Sequence, residues 1–434
     1  MIHTQSLRPT SGRTLARSLV LTAAFILPAV VLRVTGIHPS PVVSLLAFGA
    51  AVVAASFVLA WAAESAQMDV SGGLAIAVLA LIAVLPEYAV DLYYAYVAGH
   101  DADYVQYAAA NMTGSNRLLM GIGWPVVVIV GLFVAKKAAA QKSVEQTSGV
   151  GKSVLPLESS NRVELGFLLI AGLVAFIIPA TGRIHLVLGV AMLAWFGFYL
   201  YKMTRGEPEE PELIGTAAAI GDLPTRARRV TVVTMFVVAG AVILMCAAPF
   251  ADSLIAAGTQ LGVDRFLLVQ WLAPLASEAP EFIIAIIFAS RGKSTAAIAT
   301  LIASKVNQWT LLVGSLPIAY LAGGGGTSLV LDGRQIEEVL LTATQTMMGV
   351  ALILSLRFHR NVAWLLLALF LVQFPITSTT GRLALCGVYG VLTVIGLIVN
   401  RSNVVATLRA PFVDADDDDT GLAPGERALS SVGN

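Results

Sequence analysis

Four acidic residues lie in the middle of long apolar segments, where a charge is costly unless it serves a site or pathway. Glu87 and Asp91 lie in LIAVLPEYAVDLYY, and Glu278 and Glu281 lie in LAPLASEAPEFIIAII. On a helix, Asp91 follows Glu87 by four positions and Glu278 precedes Glu281 by three, so each pair shares a helix face. Carboxylate, carbonyl and hydroxyl oxygens are the ligands that hard cations such as Ca²⁺ and Na⁺ prefer. The pattern therefore predicts a cation site.

A proline stands directly before one glutamate of each pair, at Pro86 and Pro280. Proline has no N–H and clashes with the carbonyl four residues earlier, which here are those of Ile82 and Ala276. An unpaired carbonyl is tolerated at membrane depth only where it faces protein or a polar cavity. The prolines therefore indicate that backbone oxygens join the carboxylates. A single such proline would equally fit a simple structural kink.

A second polar segment follows each acidic segment after about one span, as AAANMTGSNRLL and IATLIASKVNQWTLL. The small residues Gly114 and Ala303 permit a close helix approach. The basic residues Arg117 and Lys305 either neutralise structural carboxylates or occupy part of an ion site. With four carboxylates they give a formal charge of −2, which suits one divalent cation or two protons. The neutral candidate ligands are Asn111, Ser115, Ser277, Ser304, Asn307 and Gln308.

The two Pro-Glu pairs lie in different halves of the chain and mark an internal repeat. We expect five spans in each copy, over 42–202 and 230–376, with one extra helix at each end. Because five is odd, the second copy enters the membrane from the opposite face. Such inverted repeats are typical of transporters whose site lies near the midplane of the bilayer.

The composition agrees with a chain that lies largely in a bilayer. Of 434 residues, 57% are hydrophobic and only 12% are charged, against about 25% charged in soluble domains. The predicted fold is an all-α polytopic membrane protein with about twelve transmembrane helices. These helices are predicted at 14–36, 42–66, 73–98, 104–134, 163–180, 184–202, 230–258, 265–290, 296–321, 337–356, 362–376 and 383–400. The predicted divisions are an N-terminal part at 1–41, the first repeat at 42–205, a cytoplasmic linker at 206–229, the second repeat at 230–380, an extra helix at 381–402 and an acidic disordered tail at 403–434.

The distribution of Lys and Arg predicts the orientation. With the N-terminus in the cytoplasm, 20 of the 27 basic residues fall on the cytoplasmic side, 5 fall outside and 2 lie within spans. Cytoplasmic loops carry such an excess of positive residues. We therefore expect an integral protein of the cell membrane, with both termini in the cytoplasm.

Several other classes of protein are disfavoured. Lys+Arg and Asp+Glu are equal at 27 each, which argues against a basic nucleic-acid partner. The GVGKS segment at 149–153 has Gln146 where a phosphate-binding loop requires glycine. The five histidines lie near span ends or in loops, so a membrane-embedded enzyme using paired carboxylates lacks a nucleophile–base pair. We expect no enzymatic activity and no cofactor other than the transported cation.

At the two motif pairs the chain resembles the sodium/calcium exchanger family of the cation/Ca²⁺ antiporters. That family has two inverted five-helix repeats, each with a GTSLPE-like motif and a later GNxxGSN-like motif. The resemblance covers roughly 42–376. The matching residues are Leu85, Pro86, Glu87, Asn111, Gly114, Ser115 and Asn116 in the first copy, and Ser277, Pro280, Glu281 and Ser304 in the second.

The chain departs from the family pattern within both motifs. Ala83 and Val84 replace a Thr-Ser pair, and Glu278 replaces a serine. Lys305 stands where asparagine is usual, and Gln308 stands where some members carry an acid. The resemblance implies the fold and antiport in general, whereas these departures leave the ions and their stoichiometry open.

Together, the residues and the resemblance favour a secondary cation antiporter that works by alternating access. It would exchange Ca²⁺ or another cation for Na⁺ or H⁺, with Glu87 and Glu281 as central ligands. Two alternatives stay open, namely a Na⁺(K⁺)/H⁺ exchanger that never carries Ca²⁺ and a non-transporting membrane regulator. The expected partners are the lipid bilayer and inorganic cations, and the oligomeric state is open.

Overall fold

A computed structural model describes residues 9–69, 84–142, 153–205 and 213–413, and these are overwhelmingly helical. Helices satisfy every backbone hydrogen bond within one segment, as a lipid environment requires. In the first half the helices are α1 (Pro9–Thr35), α2 (Pro41–Ala66), α3 (Leu85–Ala98), α4 (Val105–Leu118), α5 (Trp124–Lys142), α6 (Asn161–Ala175), α7 (Ile177–Thr181) and α8 (Leu186–Met203). In the second half they are α9 (Gly215–Gly221), α10 (Thr225–Leu261), α11 (Arg265–Ser290), α12 (Ser294–Asn307), α13 (Val313–Ala322), α14 (Gly333–Ile353), α15 (Arg360–Val372), α16 (Thr379–Val399) and α17 (Arg401–Arg409).

The predicted fold class is confirmed. Ten described helical segments are long and apolar enough to cross a membrane, and the apolar helix α15 is shorter. Helix α3 follows residues 70–83, which lie outside the described part of the chain, as does Ile82 of the predicted backbone break. Eleven of the twelve predicted spans overlap one of these helical segments, and the described part of the span predicted at 73–98 forms α3.

The two repeats correspond residue by residue from α4 and α12 through the turns that follow these helices. A five-residue π-helical turn, Leu119–Gly123, joins α4 to α5, and a matching turn, Gln308–Leu312, joins α12 to α13. With the turns aligned, Ser115 and Ser304 occupy equivalent positions. Later counterparts such as α8 and α15 follow their turns at different distances along the chain, because the connection after α5 is longer than its counterpart in the second repeat.

Short strands pair each repeat with the other. The four strands are β1 (Val154–Pro156), β2 (Arg183–His185), β3 (Ser328–Val330) and β4 (Arg357–His359). Strand β1 of the first repeat pairs antiparallel with β4 of the second, with Leu155 opposite Phe358. Strand β2 pairs antiparallel with β3, with Ile184 opposite Leu329. The two repeats therefore exchange backbone hydrogen bonds as well as side-chain contacts.

Two segments that were predicted as a disordered tail and a linker contain helical structure. Helix α17 and a following turn at Ala410–Phe412 lie inside the predicted disordered tail, so the prediction of disorder is wrong for residues 403–412. Apolar contacts explain the order, because Pro411 is buried and Phe412 stacks near Trp195, with ring centroids 5.8 Å apart. Residues 414–434, including the acidic run, lie outside the described residues. Within the predicted linker, α9 is helical.

Helices α4 and α11, which carry much of the predicted site, touch through their backbones. A Cβ placed on Gly114 would lie 1.7 Å from the carbonyl oxygen of Gln270. No side chain fits at that distance, so the predicted need for a small residue at position 114 is confirmed. The contact fixes the neighbouring Ser115 close to the acidic part of α11.

Equivalent positions of the two repeats share an unusual backbone conformation. Gly182 precedes β2 with φ of 68°, and its counterpart Leu356 precedes β4 with φ of 57°. Glycine adopts the left-handed region without a steric cost, whereas a residue with a Cβ pays about 1–2 kcal/mol there. The second repeat therefore keeps the geometry of the first despite strain.

We expect Leu356→Gly to be more stable than Leu356→Ala by about 1 kcal/mol, because both lose the leucine side chain and only alanine keeps the strain. Thermal unfolding of the detergent-solubilised variants measures the difference. Leu354→Gly and Leu354→Ala provide the control pair, since Leu354 lies nearby with ordinary helical backbone angles. An order with alanine above glycine at position 356 would contradict this account.

An ion-pair cluster joins the end of α2 to the start of α10. Asp69 accepts from Arg228 Nε at 2.7 Å and Nη2 at 2.9 Å, and from Arg229 Nε at 3.1 Å. The hydrogen bond from Arg228 is the main reason that the pKa of the Asp69 carboxyl is lowered to about 2. A lowered folded-state pKa means that the pair stabilises the protein when Asp69 is ionised.

We expect the stabilisation by this cluster to be constant above about pH 4 and to be lost as the pH falls towards about 2. Arg228→Met should therefore lower stability by about 1 kcal/mol at pH 6, and the difference from wild type should vanish near pH 2. Unfolding from pH 2 to 6 tests this, with Arg226→Met as the control at an exposed position. A deficit that is independent of pH would contradict it.

Candidate cation-binding site

The amide of Gln308 joins carboxylates of the two repeats. Its Nε2 donates to Glu278 Oε1 at 2.6 Å and to Glu87 Oε1 at 3.3 Å. Glu87 is 5% exposed, Glu278 2% and Gln308 1%. One buried nitrogen thus brings together a carboxylate from α3 and another from α11, and this cluster is the centre of the candidate site.

Local structure places the two central carboxylates differently. Helix α3 begins at Leu85, so Pro86 lies in its first turn, where proline costs no hydrogen bond. Glu87 follows in that first turn, where the helix dipole favours a negative charge. By contrast, α11 runs without interruption through Pro280. The two predicted backbone breaks are therefore not symmetrical, although Pro280 still leaves the carbonyl of Ala276 without its usual donor.

The second π-helical turn positions the amide side chains of the candidate site. Gln308 is the first residue of the second π-turn, directly after Asn307 at the end of α12. An extra residue in a turn rotates the following side chains, and π-turns are frequent at functional sites for this reason. Leu119, the equivalent of Gln308 in the first repeat, is buried but apolar. The amide bridge is consequently a feature of one repeat only.

Further hydrogen bonds tie the cluster together. Ser304 Oγ donates to Glu281 Oε2 at 3.1 Å. The Tyr88 hydroxyl donates to Asn307 Oδ1 at 2.8 Å, which joins α3 to α12. The Tyr88 hydroxyl was not among the ligands predicted from the sequence. Its position beside Glu87 in the motif was the only signal in the sequence.

Several buried polar atoms at the site have no hydrogen-bond partner among the described residues. Asn111 lies beside Asp91, and Ser115 lies beside both Glu87 and Glu278. A buried polar group without a partner costs about 1–3 kcal/mol, so such a concentration is unusual outside functional sites. The orphaned atoms are Asp91 Oδ1 and Oδ2, Asn111 Oδ1 and Nδ2, Ser115 Oγ, Glu278 Oε2 and Gln308 Oε1.

Lys305 lies within this region but does not pair directly with a carboxylate of the described residues. Its Nζ donates to the carbonyl oxygen of Asn116, and to Asn116 Oδ1 at 2.9 Å. Lys305 and Asn116 occupy equivalent positions, so the lysine contacts its own counterpart in the other repeat. The buried ammonium, which is 1% exposed, thus occupies two oxygens that would otherwise be available to a cation.

Arg117 neutralises a structural carboxylate, which is one of the two predicted alternatives, and it lies outside the carboxylate cluster to which its charge was assigned. Its Nη2 lies 2.5 Å from Glu338 Oε2 on α14, and its Nη1 donates to Gln373 Oε1 at 3.1 Å. Glu338 also accepts from Gln270. The formal charge of the site is therefore −3 rather than the predicted −2, because Arg117 compensates an acid that the prediction omitted. Glu338 was overlooked because it lies only one residue inside the predicted span.

Ser277 also has a smaller part than expected. Its hydroxyl donates back to the carbonyls of Ala273 and Pro274 on the same helix. Glu281 is half-buried, whereas the other predicted acids are buried. Among the described residues, no three His, Cys, Asp or Glu side chains converge closely enough to bind one metal ion together.

The architecture and this buried set of carboxylates and amides define the class as a polytopic carrier of inverted-repeat design. The sodium/calcium exchanger protein family model matches residues 40–205 and 231–398, which are the two repeats. The chain belongs to this family. A comparison with curated protein sequences found no match.

Solved structures agree with this assignment. The chain is similar to the crystal structure of the H⁺/Ca²⁺ exchanger CAX, with 38% identity, a TM-score of 0.84, and coverage of 92% of this chain and 98% of that one. The structure of native YfkE matches with 16% identity and a TM-score of 0.56, over 86% of this chain and 99% of that one. The second match shows the fold alone.

We expect Gln308→Leu to reduce cation transport at least tenfold, because two buried carboxylates lose their shared donor, and each such charged hydrogen bond is worth about 1.5–3 kcal/mol. Flux into proteoliposomes measures the effect. The matched control is Gln67→Leu at an exposed position. Unchanged flux in Gln308→Leu would show that the amide bridge is not needed for transport.

Proposed function

We propose that the protein exchanges Ca²⁺ for H⁺ across the cell membrane by alternating access. The observation that carries this proposal is the single Gln308 amide shared by Glu87 and Glu278. Two carboxylates held this close in a medium of low dielectric need compensation. One divalent cation or two protons provide equal compensation, so the two ligands can replace each other without leaving a net charge buried.

The full set of charges gives the same exchange ratio. Four carboxylates and the Lys305 ammonium carry a formal charge of −3. A Ca²⁺ ion and one proton neutralise this set, and so do three protons. The two loaded states differ by one Ca²⁺ against two H⁺, which makes the exchange electroneutral.

The neutral ligands suit the proton-coupled form better than a Na⁺-coupled form. Several Na⁺ ions would each need their own shell of oxygens. Lys305 already engages two oxygens of Asn116, and Ser277 engages carbonyls of its own helix. The remaining oxygens of Glu87, Glu278, Asn111, Ser115 and Gln308 suffice for one Ca²⁺ ion. The similarity to a structure described as an H⁺/Ca²⁺ exchanger supports this choice.

Glu281 and Asp91 take secondary roles in this proposal. Glu281 is half-buried and is bound by Ser304, so we assign it to delivering the cation to the central pair. Asp91 lies one helical turn beyond Glu87, next to Asn111, and continues the row of oxygens along α3. The cation would thus pass from Glu281 through the bridged pair towards Asp91.

The test is transport by the purified protein in proteoliposomes. We expect a pH gradient to drive Ca²⁺ uptake without Na⁺, and Glu87→Gln and Glu278→Gln to reduce uptake to the background of empty liposomes. Glu158→Gln, which alters an exposed glutamate, serves as the control. Clamping the membrane potential with K⁺ and valinomycin should leave the rate unchanged, because the proposed exchange moves no net charge.

Other outcomes would identify other functions. Uptake that depends on a Na⁺ gradient at constant pH would replace the proposal with Na⁺/Ca²⁺ exchange. Proton flux that needs Na⁺ or K⁺ and ignores Ca²⁺ would indicate a Na⁺(K⁺)/H⁺ exchanger. Wild-type flux equal to that of empty liposomes would favour the non-transporting regulator.

A further inference from the structure

A second polar cavity lies away from the carboxylate cluster, around the Arg117–Glu338 ion pair. It measures about 260 Å³ and lies between α4, α11, α14 and α16, next to the C-terminal end of α15. Its charged lining residues are Arg117, Asp264, Arg334, Glu338 and Arg382. Three cations against two anions give the lining itself a formal charge of +1, and Glu337, which is not part of the lining, pairs with Arg382.

Both acids of the cavity are already satisfied by protein partners. Glu338 Oε2 accepts from Arg117 and from Gln270 Nε2 at 3.2 Å. Asp264 Oδ2 accepts from Arg334 at 2.8 Å, and its Oδ1 caps the first turn of α11. The acids therefore have few lone pairs left for a cation, and the cavity does not duplicate the transport site.

The unsatisfied groups of the cavity are donors. Arg117 Nε, Gln373 Nε2 and Arg334 Nε are buried and have no hydrogen-bond acceptor among the described residues. Arg117 is 2% exposed and Gln373 7%. Three donors from three separate segments of the chain thus line one cavity, and a ligand that accepts several hydrogen bonds would satisfy them.

Rigid supports hold the guanidinium groups. Arg117 lies over the ring of Trp271 at 5.0 Å from its centroid, and Arg334 lies over Phe266 at 4.1 Å. Arg382, at the rim, is held by Glu337 at 2.8 Å. Side chains fixed in this way lose little entropy when a ligand binds, which is what a preorganised site requires.

Helix ends add to the positive potential at the mouth of the cavity. Helices α11, α14 and α16 all begin here, at Arg265, Gly333 and Thr379. Each is longer than twenty residues, and a helix N-terminus carries about half a positive charge, which the capping carboxylates Asp264 and Asp332 partly offset at α11 and α14. Asp264 and Arg334 are partly exposed, at 42% and 34% of their side chains, so the cavity reaches the surface. The distribution of Lys and Arg predicts that this surface faces outwards.

We propose that this cavity binds a tetrahedral oxyanion, namely inorganic phosphate or the phosphate group of an anionic lipid. Its donors approach from several helices rather than from one plane, which fits the four oxygens of a phosphate better than a flat carboxylate. The apolar parts of Trp271 and Phe374 in the lining leave room for a substituent on the phosphate. Arg117, Arg334 and Gln373 are the binding residues, with Arg382 at the entrance.

An oxyanion bound in this cavity would affect the packing of the two repeats rather than contact the cation. Arg117 lies on α4, only two residues after Ser115, and Glu338 lies on α14 of the other repeat. An oxyanion bound by Arg117 would therefore alter the contact between the two repeats. It would not replace any ligand of the carboxylate cluster, so binding can be measured without transport.

The experiment measures ligand-dependent thermal stability of the full-length protein, without a flux assay. Inorganic phosphate at constant ionic strength, with chloride as the reference, tests the free anion on protein in neutral detergent. Nanodiscs of phosphatidylcholine with or without phosphatidic acid test the lipid headgroup. We expect one or both probes to raise the melting temperature of the wild type.

The variant Arg334→Gln/Gln373→Leu removes two orphaned donors and keeps the Arg117–Glu338 pair. We expect it to need at least about tenfold more of the probe for the same shift, because charge-assisted hydrogen bonds are lost. Arg183→Gln, at an exposed position of strand β2 and outside the cavity lining, should respond as the wild type does.

The outcomes distinguish a free phosphate from a lipid phosphate, and two of them would refute the proposal. A shift with phosphate in detergent identifies a free oxyanion site, and a shift only with phosphatidic acid identifies a lipid site. No shift with either probe would overturn the proposal, as would equal shifts in the double variant and the wild type. If the double variant fails to fold, Arg334→Gln alone provides the same comparison, with a smaller expected loss.

Discussion

The cost of burying charge in a medium of low dielectric governs the interior of this protein. Most of the buried ionic side chains are held by a partner from another helix. Arg117 is held by Glu338, Lys305 by Asn116, and Glu87 and Glu278 by Gln308. Breaking one such contact would leave an uncompensated charge, at a typical cost of about 3–5 kcal/mol. These contacts therefore determine which helices must stay together, and the apolar packing follows from them.

Inverted repetition places the partners of three of these contacts, Arg117–Glu338, Lys305–Asn116 and Glu87–Gln308, in opposite repeats, whereas Glu278 and Gln308 both lie in the second repeat. The contact between Lys305 and Asn116 lies near the pseudo-symmetry axis of the repeats, because the two residues occupy equivalent positions. The site itself has lost the symmetry of the scaffold. Glutamine at position 308 corresponds to leucine at position 119, and α3 begins at its proline, whereas α11 continues through Pro280. Divergence at a few positions has thus made one shared site from two similar halves.

Much of this arrangement can be predicted from the sequence, because its main signals are local. Apolar length predicts the helices, and the recurrence of Pro-Glu predicts the repeat. The place of Gln308 among the candidate site residues and the close approach at Gly114 also follow from motif spacing. The pairing of Arg117 with Glu338 could not be predicted. Which acid a buried arginine reaches depends on how the helices that carry them, here α4 and α14, cross each other. The disposition of Ser277 likewise depends on its rotamer, and hydroxyls at membrane depth can bond to their own helix as readily as to a ligand.

The strand pairs have a consequence for the order in which the chain acquires its structure. Leu155 pairs with Phe358 and Ile184 pairs with Leu329, so both strands of the first repeat have their partners in the second. Neither strand finds its partner until most of the second repeat has been synthesised. At about 5–20 residues per second, the wait for β4 lasts roughly 10–40 s. During this time the first repeat exposes two unpaired edges, one at each membrane surface, so the nascent half-carrier depends on its own later sequence for protection against other chains.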